Sequence, residues 1–238
     1  MSGHSKWKTI KHKKALTDAK KSKHFSKLIR EIEVCARVGG GDPASNATLR
    51  TLLDKARDIN MPLDNAMRAI KKGTGELAGE NYEAFTYEGY GPNNIALLIE
   101  TLSSNKNRTV SEIRHIFNYK GGTLAAGGAV SWMFERKGVI TIENETLTEE
   151  SLLDLLMDYP IDNITKHDDI ITITTDPKAL EEVKNKLKES HVTIQEAQVE
   201  WLAKDTMDLP ENQAQTTLDF IETLEDLDDV QNVYSNLA

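Results

Sequence analysis

One cysteine stands in 238 residues. Cys35 can form neither an internal disulfide nor a multi-cysteine zinc site. Within Ile32-Glu33-Val34-Cys35-Ala36 it reads as a small core residue, because no assured basic neighbour activates the thiol. Long apolar runs are missing too. The longest, residues 95–99 and 130–134, fall far short of the roughly 18 residues a membrane-spanning helix needs. No apolar h-region or small-residue cleavage site follows Met1-Ser2-Gly3-His4-Ser5-Lys6-Trp7, and the basic stretch is built on Lys rather than on Arg and Ser. A cytoplasmic protein without membrane contact is the expectation. The motifs of common catalysts are absent as well. There is no nucleophile elbow, P-loop or Rossmann glycine pattern, and Gly39-Gly40-Gly41 runs into Pro43 rather than into a Lys and Ser or Thr pair. Asp168-Asp169 and Asp228-Asp229 lack the spacing of a calcium loop and read as turn and solvent residues. The sequence therefore predicts no enzyme, no cofactor and no bound metal.

What is present is a segregated charge. The net charge of −9 argues against a polyanionic partner only if it is evenly spread. Residues 1–75 carry 17 Lys and Arg against 7 Asp and Glu, and the rest of the chain carries 12 against 31. A basic head thus precedes an acidic body.

Periodicity divides the chain further. In residues 18–38 the apolar positions Ala19, Phe25, Leu28, Ile29, Ile32, Val34 and Ala36 recur mostly at helical intervals, and Gly39-Gly40-Gly41-Asp42-Pro43 ends that helix. A second helix is predicted over 47–60. A third follows Pro62, with Asn60 and Asp64 as cap candidates, and Gly73-Thr74-Gly75 closes it. Past residue 80 strands are predicted at 84–90 and 94–102, then a helix at 109–119 and strands at 130–135 and 139–143. The block ending near 202 continues helix, strand, strand, helix, strand, which is the split βαβ or ferredoxin-like order. A last helix at 212–227 and strand at 230–234 have no place in that finished unit and complete the one begun near residue 84. The predicted fold class is α+β: a helical N-terminal domain, then two ferredoxin-like α/β domains with the third inserted in the second. The expected division is 1–77 for the basic helical domain, 78–137 with 206–238 for the second domain, and 138–205 for the third.

The densest chemical feature lies at the amino end. His4, Lys6, Trp7, Lys8, Lys11, His12, Lys13, Lys14, Lys20, Lys21, Lys23, Lys27 and Arg30 combine ammonium and guanidinium groups with an indole. Each cation can neutralise a phosphate and release a counterion, and the indole offers a face on which a base can stack. The alternative is a solvated arm, but an arm serving solubility alone needs no interleaved aromatics. The histidines are too widely spaced for a compact ligand motif and sit among repelling lysines, so phosphate donation or helix capping suits them better than a metal. A second candidate is Asn107, Arg108 and Arg114 around the start of the helix at 109–119, where helix-start amides could seat a phosphate. Equally open is a purely structural arrangement in which Asn107 or Thr109 caps the helix and Arg108 pairs with an acid. Trp132 and Phe134 read as core residues of a strand, although alternate strand faces could present Trp132 or Arg136 outward.

These residues also resemble a known family. Gly3-His4-Ser5-Lys6-Trp7, Ile10-Lys11-His12-Lys13-Lys14, Lys27-Leu28-Ile29-Arg30-Glu31-Ile32 and Asn60-Met61-Pro62 are similar to the amino-terminal motifs of the YebC family. So are Tyr87-Glu88-Gly89-Tyr90-Gly91-Pro92, Asn107-Arg108-Thr109-Val110-Ser111-Glu112-Ile113-Arg114-His115, Trp132-Met133-Phe134-Glu135-Arg136-Lys137-Gly138 and the acidic stretch from Leu224 through Asp229 to Tyr234. The resemblance spans essentially the whole chain and implies three domains and no catalysis. Its bacterial members are described as DNA-binding transcriptional regulators, whereas a mitochondrial translational activator and more recent views of bacterial members point to the ribosome. Where this chain has Asn93-Asn94 the family often has a Gly-Gly pair. The expected function is a nucleic-acid-binding regulator of gene expression, with ribosomal RNA as the preferred partner and DNA as the alternative. A protein-interaction module using the acidic domains is the reading from another class. No oligomeric state follows from the sequence.

Overall fold

The structure, a computed structural model, describes residues 18–238, with side chains from Ser22 onward. The head is three helices, α1 (Asp18–Gly39), α2 (Ala47–Asp58) and α3 (Leu63–Gly73). Their apolar stripes close on Leu28, Ile32, Ala36, Leu49, Ala56, Met61, Ala66, Ala69 and Ile70. Gly40 leaves α1 at φ +84, a conformation open to a residue without Cβ. Asn46 then ties the turn together. Its side-chain oxygen caps α2 by accepting from the Leu49 amide at 3.0 Å, while its Nδ2 donates to the Gly40 carbonyl at 2.9 Å. The start of α3 differs from expectation: Pro62 precedes it with no side-chain cap, and Asn60 instead takes the left-handed turn at φ 58. Helices α1 and α3 meet closely at Gly73, where a Cβ would lie 2.3 Å from the Glu33 carbonyl oxygen.

The body runs β1 (Glu83–Tyr90), β2 (Ala96–Ser103), α4 (Lys106–Lys120), β3 (Thr123–Ala125), β4 (Phe134–Glu143), α5 (Glu149–Leu155), β5 (Ile161–His167), β6 (Ile170–Thr175), α6 (Leu180–Glu189), β7 (Glu196–Ala203), α7 (Glu211–Glu225) and β8 (Val230–Ser235). Two four-stranded antiparallel sheets result, ordered β3-β1-β2-β8 and β5-β6-β4-β7. The second is ferredoxin-like in strand order and in its β-α-β-β-α-β sequence. It is inserted between β3 and α7, and β8 returns to pair with β2. The mixed α+β class and the nested third domain are therefore present as the sequence predicts, but the first sheet, which opens on the β1–β2 hairpin and is ordered β3-β1-β2-β8, does not have the ferredoxin-like order expected of it.

Each sheet carries helices on one face. In the first, α4 and α7 cover Ile95, Leu97 and Ile99, with Phe117 and Phe220 edge-to-face at 5.1 Å between centroids. In the second, Leu152, Val183 and Leu187 close over Ile140, Ile142, Ile171 and Ile173. A separate apolar cluster of Ala96, Leu98, Val130, Phe134 and Ala203, flanked by Tyr90, Trp201 and Tyr234, joins the two sheets.

One stretch departs from the sequence reading. Residues 131–133 form a single 3-10 turn, and β4 runs without a break from Phe134 to Glu143. The cause is Glu88, only 7% exposed, whose carboxylate accepts from the amides of Gly128, Val130 and Ser131 at 2.7–2.9 Å. Amides held by a side chain cannot join a strand ladder. Phe134 is buried as expected, but Trp132 is 67% exposed. Its indole donates to the Ala129 carbonyl at 3.0 Å, and the Trp132 carbonyl accepts from Lys204 Nζ at 2.7 Å.

Candidate nucleic-acid interface

Lys23, Lys27 and Arg30 fall at i, i+4 and i+7 of α1 and so share one helix face. That face is turned towards the acidic segment between α7 and β8. Lys23 Nζ lies 2.8 Å from Asp226 Oδ1, and Lys27 Nζ donates to the Glu225 carbonyl at 2.7 Å. Arg30 donates to the Asp228 carbonyl and, at 3.1 Å, to Asp229 Oδ1. Its guanidinium also lies 5.4 Å from the centroid of the Tyr82 ring.

From the other side Arg108 grips Asp229 with both oxygens in reach, at 3.0 and 2.7 Å. Asp229 is 1% exposed, and its Oδ2 further accepts from Ser103 at 3.0 Å and Thr109 at 2.6 Å. Burial pushes its pKa up, but hydrogen bonds from Arg108, Thr109 and Ser103 and the Arg108 charge outweigh that and hold it below the usual Asp range. Asp229 is thus no solvent residue, which corrects the sequence reading. The start of α4 is capped by Asn105, which accepts from the Arg108 amide at 3.1 Å; neither Asn107 nor Thr109 caps it, and Thr109 is buried beneath. Arg108 pairs with an acid, as the structural alternative supposed, while its side chain stays 49% exposed.

The remaining candidates fall into three groups. Asn107 and Arg114 are exposed on α4. His4, Lys6, Trp7, Lys8, Lys11, His12, Lys13 and Lys14 lie outside the described residues, while Lys20 and Lys21 belong to the first turn of α1. Elsewhere on α1, Arg37 bridges Glu33 at 3.2 Å and the Glu80 carbonyl at 2.6 Å, fastening the chain that leaves the head. Lys55 of α2 reaches Gln198 of β7 at 3.2 Å. Among the described residues no group of three or more His, Cys, Asp or Glu is arranged to hold a metal. None of the described helices is long and apolar enough to cross a membrane.

Sequence reasoning misses the acidic partner because ion pairing over such separations leaves no local mark. Arg30 and Asp229 are 199 positions apart. The available clue is the i, i+4, i+7 spacing, which gathers three cations on one face and so favours an anion opposite, whether from outside or from the chain itself.

Two family models cover nearly all of the chain: the TACO1/YebC protein N-terminal domain matches residues 5–76, and the TACO1/YebC second and third domain matches residues 82–237. The chain belongs to the TACO1/YebC family. Among its relatives, a protein of Thermotoga petrophila is 51% identical over 237 residues, covering 99% of this chain and 93% of that one. One of Chlorobaculum parvum is 47% identical over 238 residues, covering 100% and 95%. Both are named probable transcriptional regulatory protein. The crystal structure of a conserved hypothetical protein from Aquifex aeolicus matches with a TM-score of 0.87 at 44% identity, covering 96% of this chain and 95% of that one. The β1–β2 tip has a physical reading here. Asn93 and Asn94 both adopt φ 60, and Asn is the side-chain-bearing residue that most readily takes this left-handed conformation.

Proposed function

We propose that this protein is a non-enzymatic, nucleic-acid-binding regulator of gene expression that works on the ribosome, gripping ribosomal RNA with its basic head. The observation that carries the reading is the charge segregation: 17 basic against 7 acidic residues in 1–75, in a chain of net charge −9. A polyanion is attracted to such a head and repelled by the body, which orients the encounter. The names of the relatives favour regulation of gene expression and give a second reading, a DNA-binding transcriptional regulator. Sequence-specific DNA readout has less support. It needs a helix whose outer face offers base-reading side chains, whereas α3 exposes Leu63 and Met67 beside Arg68 and Lys71. A cytoplasmic location follows from this role.

Sedimentation through sucrose at low salt decides between partners. Co-migration with ribosomal subunits is expected, and a protein absent from every ribosomal fraction would sink the ribosomal reading. One discrete protected operator in a footprint would instead establish the DNA reading. Neutralising Lys11, Lys13 and Lys14 together should weaken binding and flatten log affinity against log salt by roughly 0.7 to 0.9 for each phosphate no longer neutralised. Trp7→Ala should weaken it by about 1 to 3 kcal/mol without altering that slope.

A further inference from the structure

Lys23, Lys27 and Arg30 of α1 are already occupied. What occupies them is a set of acceptors from a single turn: the carboxylates of Asp226 and Asp229 and the carbonyls of Glu225 and Asp228. Spread along one stretch of backbone, these oxygens present to Lys23, Lys27 and Arg30 what successive phosphates of a nucleic acid would present. We infer that the turn 225–229 is an internal stand-in for a phosphodiester backbone, and that a nucleic acid binds the α1 cation row by displacing it. This rests on the reading of the basic head as a nucleic-acid surface.

Three features make the turn displaceable. Asp229 has two arginine partners from different domains, so when Arg30 leaves, Arg108, Ser103 and Thr109 still satisfy the buried carboxylate. No buried charge is stranded, which is what ordinarily makes such pairs hard to open. Lys23 and Asp226 keep 41% and 51% of their side-chain surface exposed, so their pairing is weak and open to exchange. Finally, the apolar core of the head and that of the first sheet share no residue, unlike the two sheets, which a common apolar cluster joins. Tyr82 beneath Arg30 keeps the guanidinium plane oriented while its anion is exchanged.

The test uses the full chain and a fluorescein-labelled single-stranded RNA of about 20 nucleotides, long enough to span such a groove. Asp226→Asn removes one competing charge and should tighten binding about two- to five-fold, the weight of an exposed pair. The exchanged pair, Lys23→Asp with Asp226→Lys, rebuilds the ion pair but takes a cation off α1, and should bind more weakly than the original chain. Hydrogen exchange at the amides of 226–230 should quicken when RNA is added. Three results would overturn the proposal: Asp226→Asn binding no tighter, the exchanged pair recovering full affinity, or the turn becoming more protected in the complex. If the original chain binds, and ceases to bind on neutralisation of Lys11, Lys13 and Lys14 while Asp226→Asn changes nothing, the basic head stands and only the turn's role falls. If neither the original chain nor Asp226→Asn binds RNA, the head itself is not a nucleic-acid surface and both ideas fall.

Discussion

Glu88 and Asp229 remain ionised with almost no access to water because donors are aimed at them before the charge appears. For Glu88, burial raises the pKa, but the amides of Gly128, Val130 and Ser131 more than offset it and the carboxyl titrates below its ordinary range. A depressed folded pKa means stability that is fully present above the unfolded value, near 4.5, and lost as pH falls through the folded value. Both carboxylates should therefore make the chain acid-labile, with the melting temperature falling as pH drops below about 4.5 through Glu88 and below about 3.8 through Asp229. Glu88→Gln should flatten that decline, measured by thermal melts from neutral to strongly acid buffer; an unchanged slope would remove Glu88 from the account. Glu31 behaves oppositely. Partial burial, together with the Glu100 charge, lifts its pKa although Lys55 and Lys27 pull it down. Its contribution is present below the unfolded pKa and lost as pH rises through the folded one, so Glu31→Gln should raise the melting temperature at pH 7. None of this was legible in the sequence. Glu88 and Asp229 look like ordinary acids beside a glycine and in a charged turn, and the groups that bury them come from up to 199 positions away.

At the scale of the element, what the sequence stated well was whatever is encoded within one or two turns of chain. The 3.6-residue stripes placed the helices of the head, and Gly39-Gly40-Gly41 and Pro62 ended them close to where α1 and α2 stop. The strand expected over 130–135 failed for a non-local reason, since the alternation was real but Glu88 had already taken the amides. Removing that acid leaves three loop amides, one fully buried, without a protein acceptor. Glu88→Ala is expected to cost about 2–4 kcal/mol in chemical denaturation, where an exposed glutamate would cost less than about 0.5. The β1–β2 tip is the second local device. Asn94 holds φ 60 and is exposed, so Asn94→Gly should be nearly neutral while Asn94→Val, with a branched Cβ in a left-handed turn, should lose about 1–2 kcal/mol. Equal melting temperatures for the two variants would show that the tip relaxes at no cost.

The whole molecule is held together by two chemically different junctions. Between the sheets, Leu98, Val130 and Phe134 are buried in a common apolar cluster, and deleting the Phe134 ring should cost about 3–5 kcal/mol at any ionic strength. Between head and body the polar contacts among the described residues centre on cations of the head: Lys23, Lys27 and Arg30 on the turn, Arg37 on the connecting segment, Lys55 on Gln198. The nested topology of the body could be inferred from sequence because leftover elements must complete a sheet, but the chemistry of its junction with the head could not. Salt separates the two. Raising ionic strength from about 0.1 M to 1 M shortens the screening length from about 10 Å to about 3 Å, which weakens the exposed Lys23 pair far more than the Arg30 pair, whose acid is buried. High salt alone should therefore loosen the head only partly, and high salt with Asp226→Asn should loosen it further. In small-angle X-ray scattering the radius of gyration is expected to rise in that order while far-UV circular dichroism stays constant, because each domain keeps its own core. A radius that ignores both salt and Asp226→Asn would mean that packing, rather than charge, fastens the head to the body.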